Sequence, residues 1–303
     1  MNIEFIDAKS ILVKNNDPDN WFGISFNMNV YRGCQHDCIY CDSRSECYQI
    51  KNFNDLIIKR NAADLLDIDL CRRKKKVTIG TGSMSDPYIP AEKHVRLTQK
   101  VLKIIIKHKY PLHITTKSDL ILRDLNLLLE INKVFLSVSF TITTCNDNIA
   151  KKIEPKAPSP MQRLHALKIL SDAGIYTGVL FQPVLPYILD NEENIKDIVY
   201  NVTQSGAKYI LPWFGVTMRR GQREFFLNKI EAHFPGLKEK YIEKFNLLYS
   251  CQSEYKKELY RYFEQQCKKN KILYKMKDVM TYQKFNPYKQ LTLFDIDEKN
   301  TLF

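Results

Sequence analysis

A repeated alternation between short β-rich runs and longer amphipathic stretches constrains the fold of this chain more than any other feature. This order predicts βα units, in which parallel strands are joined by helices. One amphipathic stretch places Leu97, Val101, Ile104 and Ile105 at helical spacing, and Gly174 is a residue at which helices commonly end. The predicted strands are 24–31, 77–79, 111–115, 134–140, 175–181 and 209–214, and the predicted helices between them are 61–70, 95–108, 120–130, 161–173 and 192–204.

The last third of the sequence is predicted to be helical. Its helices are expected at 223–234, 238–249 and 253–270. They could cap the preceding units or form a small separate unit. The expected organisation is an N-terminal segment (1–20), a core (21–220), a helical C-terminal extension (221–285) and a tail (286–303).

Three cysteines in one short loop predict a metal centre. Cys34, Cys38 and Cys41 have the spacing C-x3-C-x2-C, and thiolate sulfur is the ligand that iron–sulfur clusters prefer. A cluster of four irons held by three thiolates leaves one iron open for chemistry. A structural zinc site would usually show a second paired half-site, which this sequence lacks. Coincidental clustering is disfavoured, because the other five cysteines are scattered along the chain.

With Tyr40 before its last cysteine, this loop resembles the C-x3-C-x-aromatic-C signature of the radical S-adenosylmethionine (SAM) superfamily. The sequence from 20 to 285 further resembles the spore photoproduct lyase-related (SplB-like) branch of that superfamily. The resemblance implies an α/β fold, a partial (β/α)6 TIM-like barrel with a C-terminal helical extension. In such barrels the active site lies at the C-terminal ends of the strands. The segments that carry the branch resemblance are 80–88 with Glu92 downstream, 115–118, 152–155 and 182–183.

The same resemblance implies the cofactors. Cys34, Cys38 and Cys41 would hold a [4Fe–4S] cluster whose open iron binds SAM. One electron from the cluster would cleave SAM to a 5′-deoxyadenosyl radical. The chemistry requires an electron donor such as flavodoxin or ferredoxin, and the sequence assigns no catalytic side chain.

Five side chains near predicted strand ends are candidates for contacts with SAM. Lys117 is placed to pair with the SAM carboxylate as a point charge. Ser139 could donate a hydrogen bond to that carboxylate, or could be a hydroxyl satisfied within the core. Ser85 or Asp86 could hold the amino group or the ribose. Tyr40 resembles the family position whose ring lies beside the adenine.

Other polar residues have less specific predictions. His36 is expected at the surface, because the cysteines already supply the ligands. Glu154 is either a buried structural carboxylate or a substrate contact. Arg219, Arg220 and Arg223 could face an anionic substrate, although a solvated helix start explains them as well.

Two positions depart from the lyase pattern. Spore photoproduct lyases carry a hydrogen-donating cysteine near the end of the second strand, where this chain has Met84. They also carry a tyrosine after the third cluster cysteine, where this chain has Asp42. A thioether cannot donate hydrogen as a thiol does, so photoproduct lyase activity is not expected.

The net charge of +12 favours association with polyanions. Lysines on solvated helix faces explain this charge equally well. The family resemblance, the charge and the peptide at 290–294 together make nucleic acid the predicted substrate, in DNA repair or modification. A protein, peptide or small metabolite is the alternative, and a non-enzymatic metal-binding adaptor at DNA is a third. No apolar run approaches the ~18 residues of a membrane span, and no signal peptide is visible. With eight cysteines in such a chain, the expected compartment is the reducing cytoplasm.

A short peptide in the tail predicts a partner. Gln290, Leu291, Leu293 and Phe294 match the Q-L-[S/D]-L-F pattern by which bacterial proteins bind the DNA sliding clamp. Their apolar side chains would insert into a pocket on the clamp. Alternatively, the segment packs on its own protein.

Overall fold

The computed structural model describes residues 2–50, 53 and 55–284, and the predicted clamp peptide at Gln290, Leu291, Leu293 and Phe294 lies outside them. No helix in the described part of the chain is long and apolar enough to span a bilayer. The strands are β1 (Ile3–Ile6), β2 (Leu12–Lys14), β3 (Ile24–Met28), β4 (Tyr31–Arg32), β5 (Leu56–Lys59), β6 (Thr78–Thr81), β7 (Leu112–Thr116), β8 (Leu136–Thr141), β9 (Tyr176–Phe181), β10 (Tyr209–Pro212), β11 (Gly215–Thr217) and β12 (Ser250–Gln252). The α-helices are α1 (Ala62–Arg72), α2 (Glu92–Val95), α3 (Leu97–His108), α4 (Leu125–Asn132), α5 (Asp147–Ile153), α6 (Pro160–Asp172), α7 (Glu192–Gln204), α8 (Gln222–His233), α9 (Leu237–Phe245), α10 (Lys256–Lys269) and α11 (Met276–Lys284).

A seven-stranded sheet forms the core, in the order β10-β9-β8-β7-β6-β3-β2. The strands from β3 to β10 in this sheet are parallel, and each lies beside its predecessor, whereas β2 runs antiparallel to β3 along the edge. This order confirms the predicted α/β class and the partial barrel of six parallel strands. The sheet does not close on itself, because β2 and β10 remain as separate edges.

The two faces of the sheet differ in polarity. Successive side chains of a strand point to opposite faces, so on β7 Leu112 and Ile114 face away from His113. Nδ1 of His113 lies 2.7 Å from the hydroxyl of Ser137 on β8. Ser139, two residues further along β8, pairs with the Tyr209 hydroxyl at 2.7 Å. The inner face of the partial barrel is thus lined with hydrogen-bonding groups.

Aromatic side chains close the barrel at the N-terminal ends of the strands. Phe22 stacks on the His113 ring at a centroid distance of 4.0 Å and packs against Tyr209. Buried Val279 of α11 joins this cluster, and the main-chain N–H of Ile210 donates to the carbonyl of Leu273 at 2.8 Å. Leu273 and Val279, which belong to the predicted extension, therefore contact the barrel at this end.

Local signals explain several element boundaries. Gly174 adopts a φ of +80° two residues after the end of α6, as expected for a residue that ends a helix. Ser159 and Gln162 form a capping box at the start of that helix. Sequence reasoning did not predict the small sheet β1-β5-β4 or the β11-β12 pair, because strands of two to four residues carry little periodicity.

Candidate active site

The cysteine loop leaves strand β4 through a turn that requires glycine. Gly33 has a φ of +82°, and a Cβ atom at this position would overlap the main-chain oxygen of Asp55. The Ser85 hydroxyl donates to the Gly33 carbonyl at 2.6 Å and fastens the turn to the segment after β6. Cys34 follows immediately, so its position depends on this turn.

The three cysteine side chains line a single cavity of about 330 Å³. The cavity lies where the loops after β6, β7, β8 and β9 meet, at the C-terminal edge of the sheet. The structure brings together every predicted site residue except Ser139: the cavity is lined by Cys34, Cys38, Cys41, Tyr40, Ser85, Asp86 and Lys117.

The chemistry of these donors fits a sulfur-ligated cluster. Burial raises the pKa of the Cys34 thiol to about 12. It also raises the pKa of Cys38, although the nearby Lys117 ammonium opposes this rise. Buried thiolates need compensating positive charge, which iron supplies to its ligands. No three His, Cys, Asp or Glu side chains among the described residues are arranged for a single metal ion; the three thiols instead share a cavity large enough for a multi-atom group.

A buried charge network supports the part of the cavity wall that Tyr40 forms. The Tyr40 hydroxyl donates to Glu154, whose other oxygen pairs with Arg163 at 2.6 Å. Burial opposes ionisation of Glu154, but Arg163 and Lys117 hold the pKa of this carboxyl below its usual value. Glu154 was predicted to be either a buried structural carboxylate or a substrate contact, and the structure shows the first. The ammonium of Lys117 lies 5.7 Å from the Tyr40 ring centroid.

Lys117 keeps its charge although it is partly buried. Burial lowers the pKa of its ammonium, but Cys38 and Glu154 have the opposite effect, and the net shift is upward. A fixed positive charge therefore points into a cavity whose other charged walls are acidic. Such a group can bind a carboxylate.

Asp86 joins the loop after β6 to the end of β7. Its carboxylate accepts hydrogen bonds from the Thr116 hydroxyl and the Lys117 N–H, both at 2.7 Å, and from the Tyr88 N–H at 2.8 Å. Burial raises the pKa of Asp86, but His36, the Lys117 N–H and the Thr116 hydroxyl outweigh it and lower the pKa to about 2. Ser85 and Asp86 thus form their hydrogen bonds with protein groups, and these bonds position the cysteine loop.

The expectation that His36 lies at the surface was wrong. Only 1% of this residue is exposed, and its Nε2 lies 3.1 Å from Oδ2 of Asp86. The reason is that Asp37 takes a φ of +60°, which lets the loop fold inward, and a buried carboxylate is available as a partner. Sequence alone did not reveal that Asp86 would reach this loop.

Ser139 lies outside the cavity. Its side chain is fully buried and its hydroxyl is paired with Tyr209. Thr141, the next inward-facing residue of β8, lines the cavity instead. Sequence reasoning missed Thr141, although the alternation Ser137-x-Ser139-x-Thr141 marks a polar face that ends at the catalytic edge.

Further residues of the cavity were not predicted as site residues. Gln182 and Trp213 follow β9 and β10 and line its far side. Met84 and Asp42, the two departures from the lyase pattern, line it as well. The Asp42 carboxylate accepts a hydrogen bond from the Thr217 hydroxyl at 3.1 Å, so an acidic group stands at the mouth.

Comparison with known proteins decides the family. The family model of the Radical SAM superfamily matches residues 28–199. The chain belongs to the radical SAM superfamily. An uncharacterized protein of Methanocaldococcus jannaschii is 36% identical over 193 residues, which cover 63% of this chain and 71% of the relative. An uncharacterized protein of Mycobacterium tuberculosis is 29% identical over 227 residues, which cover 72% of this chain and 66% of the relative.

Solved structures confirm the fold. Spore photoproduct lyase complexed with dinucleoside spore photoproduct superposes with a TM-score of 0.63 at 14% identity, covering 88% of this chain and 79% of the lyase. A radical SAM protein uses a [4Fe–4S] cluster and SAM as cofactors, so the predicted enzyme class and cofactors are confirmed.

Proposed function

We propose that this protein is a radical SAM enzyme that modifies or repairs nucleic acid, with its cluster on Cys34, Cys38 and Cys41. The observation that carries the proposal is the convergence of these thiols with Tyr40 and Lys117 on one cavity in a radical SAM fold. When bound, the two cofactors supply a 5′-deoxyadenosyl radical that abstracts hydrogen from a substrate.

The side chains around the cavity have distinct proposed roles. Lys117 binds the SAM carboxylate, because it retains a positive charge beside the thiols. Tyr40 forms a wall that its bond to Glu154 holds in place. Ser85 and Asp86 act indirectly, by fixing the cysteine loop.

Nucleic acid is the substrate class that the molecule favours. A net charge of +12 attracts phosphates, and spore photoproduct lyase, which shares the fold, is complexed with a dinucleoside photoproduct. Met84 and Asp42 stand where the lyases have a thiol and a tyrosine, so the proposed reaction is not photoproduct reversal. Binding of the sliding clamp through the peptide at Gln290 and Leu291 would bring the enzyme to DNA.

A substrate competition tests this proposal. The reconstituted enzyme would be given SAM and dithionite with duplex DNA, single-stranded DNA, RNA or a peptide pool, and 5′-deoxyadenosine would be measured. We expect a nucleic acid to increase its formation and to bind with a steep salt dependence, because phosphate contacts release counterions. Stimulation by peptides alone would contradict the proposal and favour the protein-modifying alternative.

A further inference from the structure

A segment beside the cavity exposes consecutive apolar side chains. In the 246–249 loop (Asn246, Leu247, Leu248 and Tyr249), which joins α9 to β12, Leu247 is 82% exposed, Leu248 58% and Tyr249 49%. Single exposed apolar residues are common on protein surfaces, but a contiguous group is typical of an interaction site. The loop therefore presents an apolar tip to solvent.

The loop is held rigidly by Arg223 of α8. The Arg223 guanidinium donates to the carbonyl oxygen of Asn246, to that of Leu248 at 2.6 Å and to that of Met218 at 3.1 Å. The Leu248 N–H donates to the Phe245 carbonyl at 2.8 Å. Two of these contacts fix the backbone of the loop directly, and the third ties Arg223 to Met218, whose N–H donates to the Tyr249 carbonyl at 2.8 Å. The exposed leucines are thus pre-organised, which lowers the entropic cost of binding.

The 246–249 loop is connected to the mouth of the cavity by Arg219. One nitrogen of this guanidinium donates to the Tyr249 hydroxyl at 3.0 Å, and another lies 3.2 Å from the Asp42 carboxylate. Asp42 and Thr217 line the cavity. Arg220, whose side chain is 85% exposed, follows directly and forms an exposed ion pair with Glu46. Exposed ion pairs are weak, so a phosphate can compete for this arginine.

We propose that the 246–249 loop is a wedge that inserts Leu247 and Leu248 between bases of a bound nucleic acid, while Arg219 and Arg220 contact its phosphates. The proposal rests on the nucleic-acid function proposed above. Apolar wedges unstack neighbouring bases in many DNA-bending proteins. A recessed active site can reach a base only after that base leaves the stack. Arg219 and Arg220, which are adjacent on the side of the cavity that carries Asp42 and Glu46, favour a polyanion over an apolar protein partner.

The wedge can be tested with the full-length protein and a duplex that carries 2-aminopurine beside a single mismatch. In the Leu247→Ser/Leu248→Ser variant we expect about tenfold weaker binding by fluorescence anisotropy. We also expect loss of the rise in 2-aminopurine fluorescence that reports unstacking. The salt dependence of binding should not change, because the arginines remain. Tyr200→Ser, which removes a 59% exposed side chain from α7, is the matched control and should leave both signals unchanged.

The possible outcomes distinguish failure of the wedge proposal from failure of the nucleic-acid function on which it rests. A wild-type protein that binds no duplex, single strand or RNA would overturn the nucleic-acid substrate and the wedge together. Wild-type binding without a rise in 2-aminopurine fluorescence would overturn the wedge alone. So would equal binding and unstacking by the double-serine variant, and the apolar tip would then be a surface for a protein partner. Equal thermal melting temperatures of the variants would show that both fold.

Discussion

At the scale of single residues, the site depends on buried charges that the protein pairs with one another. Lys117 faces the thiols, Glu154 neutralises Arg163, and Asp86 accepts several main-chain and side-chain donors. Each charge would be costly if its partner were absent. The cavity is therefore pre-organised to hold a polar cofactor beside sulfur ligands.

Replacement of Lys117 tests its proposed contact with SAM. Lys117→Gln keeps a polar side chain but removes the charge, so we expect at least tenfold weaker SAM binding from loss of one charge-assisted contact. Isothermal titration of the reconstituted protein measures this directly. Lys133→Gln, which removes an exposed lysine paired with Glu130 on α4, should bind SAM like the wild type. Equal affinities of both variants would contradict the assignment.

The buried imidazole of His113 makes stability depend on pH. Burial lowers the pKa of His113 to about 3 in the folded protein, whereas an unfolded chain takes up this proton below about pH 6.5. The free energy of unfolding should therefore fall as pH drops from 6.5, by about 2 kcal/mol at pH 5. In urea unfolding at pH 6.5 and pH 5, the free energy of unfolding of His113→Gln should fall by about 2 kcal/mol less than that of the wild type. Exposed His94→Gln is the control, and a His113→Gln profile parallel to wild type would refute the pKa shift.

At the scale of elements, periodicity predicted the strands and helices of the core closely. The predicted helix at 192–204 coincides with α7, and the predicted strand at 175–181 nearly coincides with β9. The cysteine loop was also predictable, because its ligands are adjacent in sequence. The buried positions of His36 and Ser139 were not, since each is determined by a partner distant in sequence, Asp86 and Tyr209 respectively.

Gly33 and Gly174 have similar positive φ angles but different space around them. Their alanine variants therefore distinguish backbone strain from steric overlap. Gly33→Ala would force a Cβ into the Asp55 main chain, whereas Gly174, at a similar φ of +80°, has open space around it. We expect Gly33→Ala to displace Cys34 and lose most of the bound iron. Gly174→Ala should cost only about 1 kcal/mol of stability and keep its iron. Iron and sulfide analysis after reconstitution measures both, and full iron content in Gly33→Ala would contradict the geometry of the loop.

At the scale of the whole molecule, the two ends of the barrel have different tasks. The C-terminal ends of the strands form the cavity, while the N-terminal ends are sealed by Phe22, Tyr209 and α11. Val279 of α11 belongs to that seal and is fully buried. Helix α11 therefore stabilises the barrel from the side opposite the chemistry, whereas α8 contacts the cysteine loop through the Gln222 amide, which donates to the Tyr40 carbonyl at 3.2 Å.

A charged side chain introduced at Val279 tests whether α11 stabilises the barrel. Val279→Asp would bury a carboxylate among aromatic side chains, so we expect a loss of about 3 kcal/mol in the free energy of unfolding. Lys277→Asp introduces the same group at an exposed position of the same helix and should change stability little. Denaturant unfolding followed by circular dichroism compares them. Equal midpoints would mean that α11 does not support the barrel.

The most direct test of the proposed active site is SAM cleavage by anaerobically reconstituted protein under dithionite. The assay compares wild type, Cys34→Ala, Cys38→Ala, Cys41→Ala and a Cys71→Ala control whose thiol is exposed on α1. We predict that wild type and Cys71→Ala form 5′-deoxyadenosine, and that each variant of the loop loses both the iron and the product. Cleavage that survives removal of a loop cysteine, or a fully loaded wild-type cluster that cleaves no SAM with any nucleic acid or peptide present, would contradict the account.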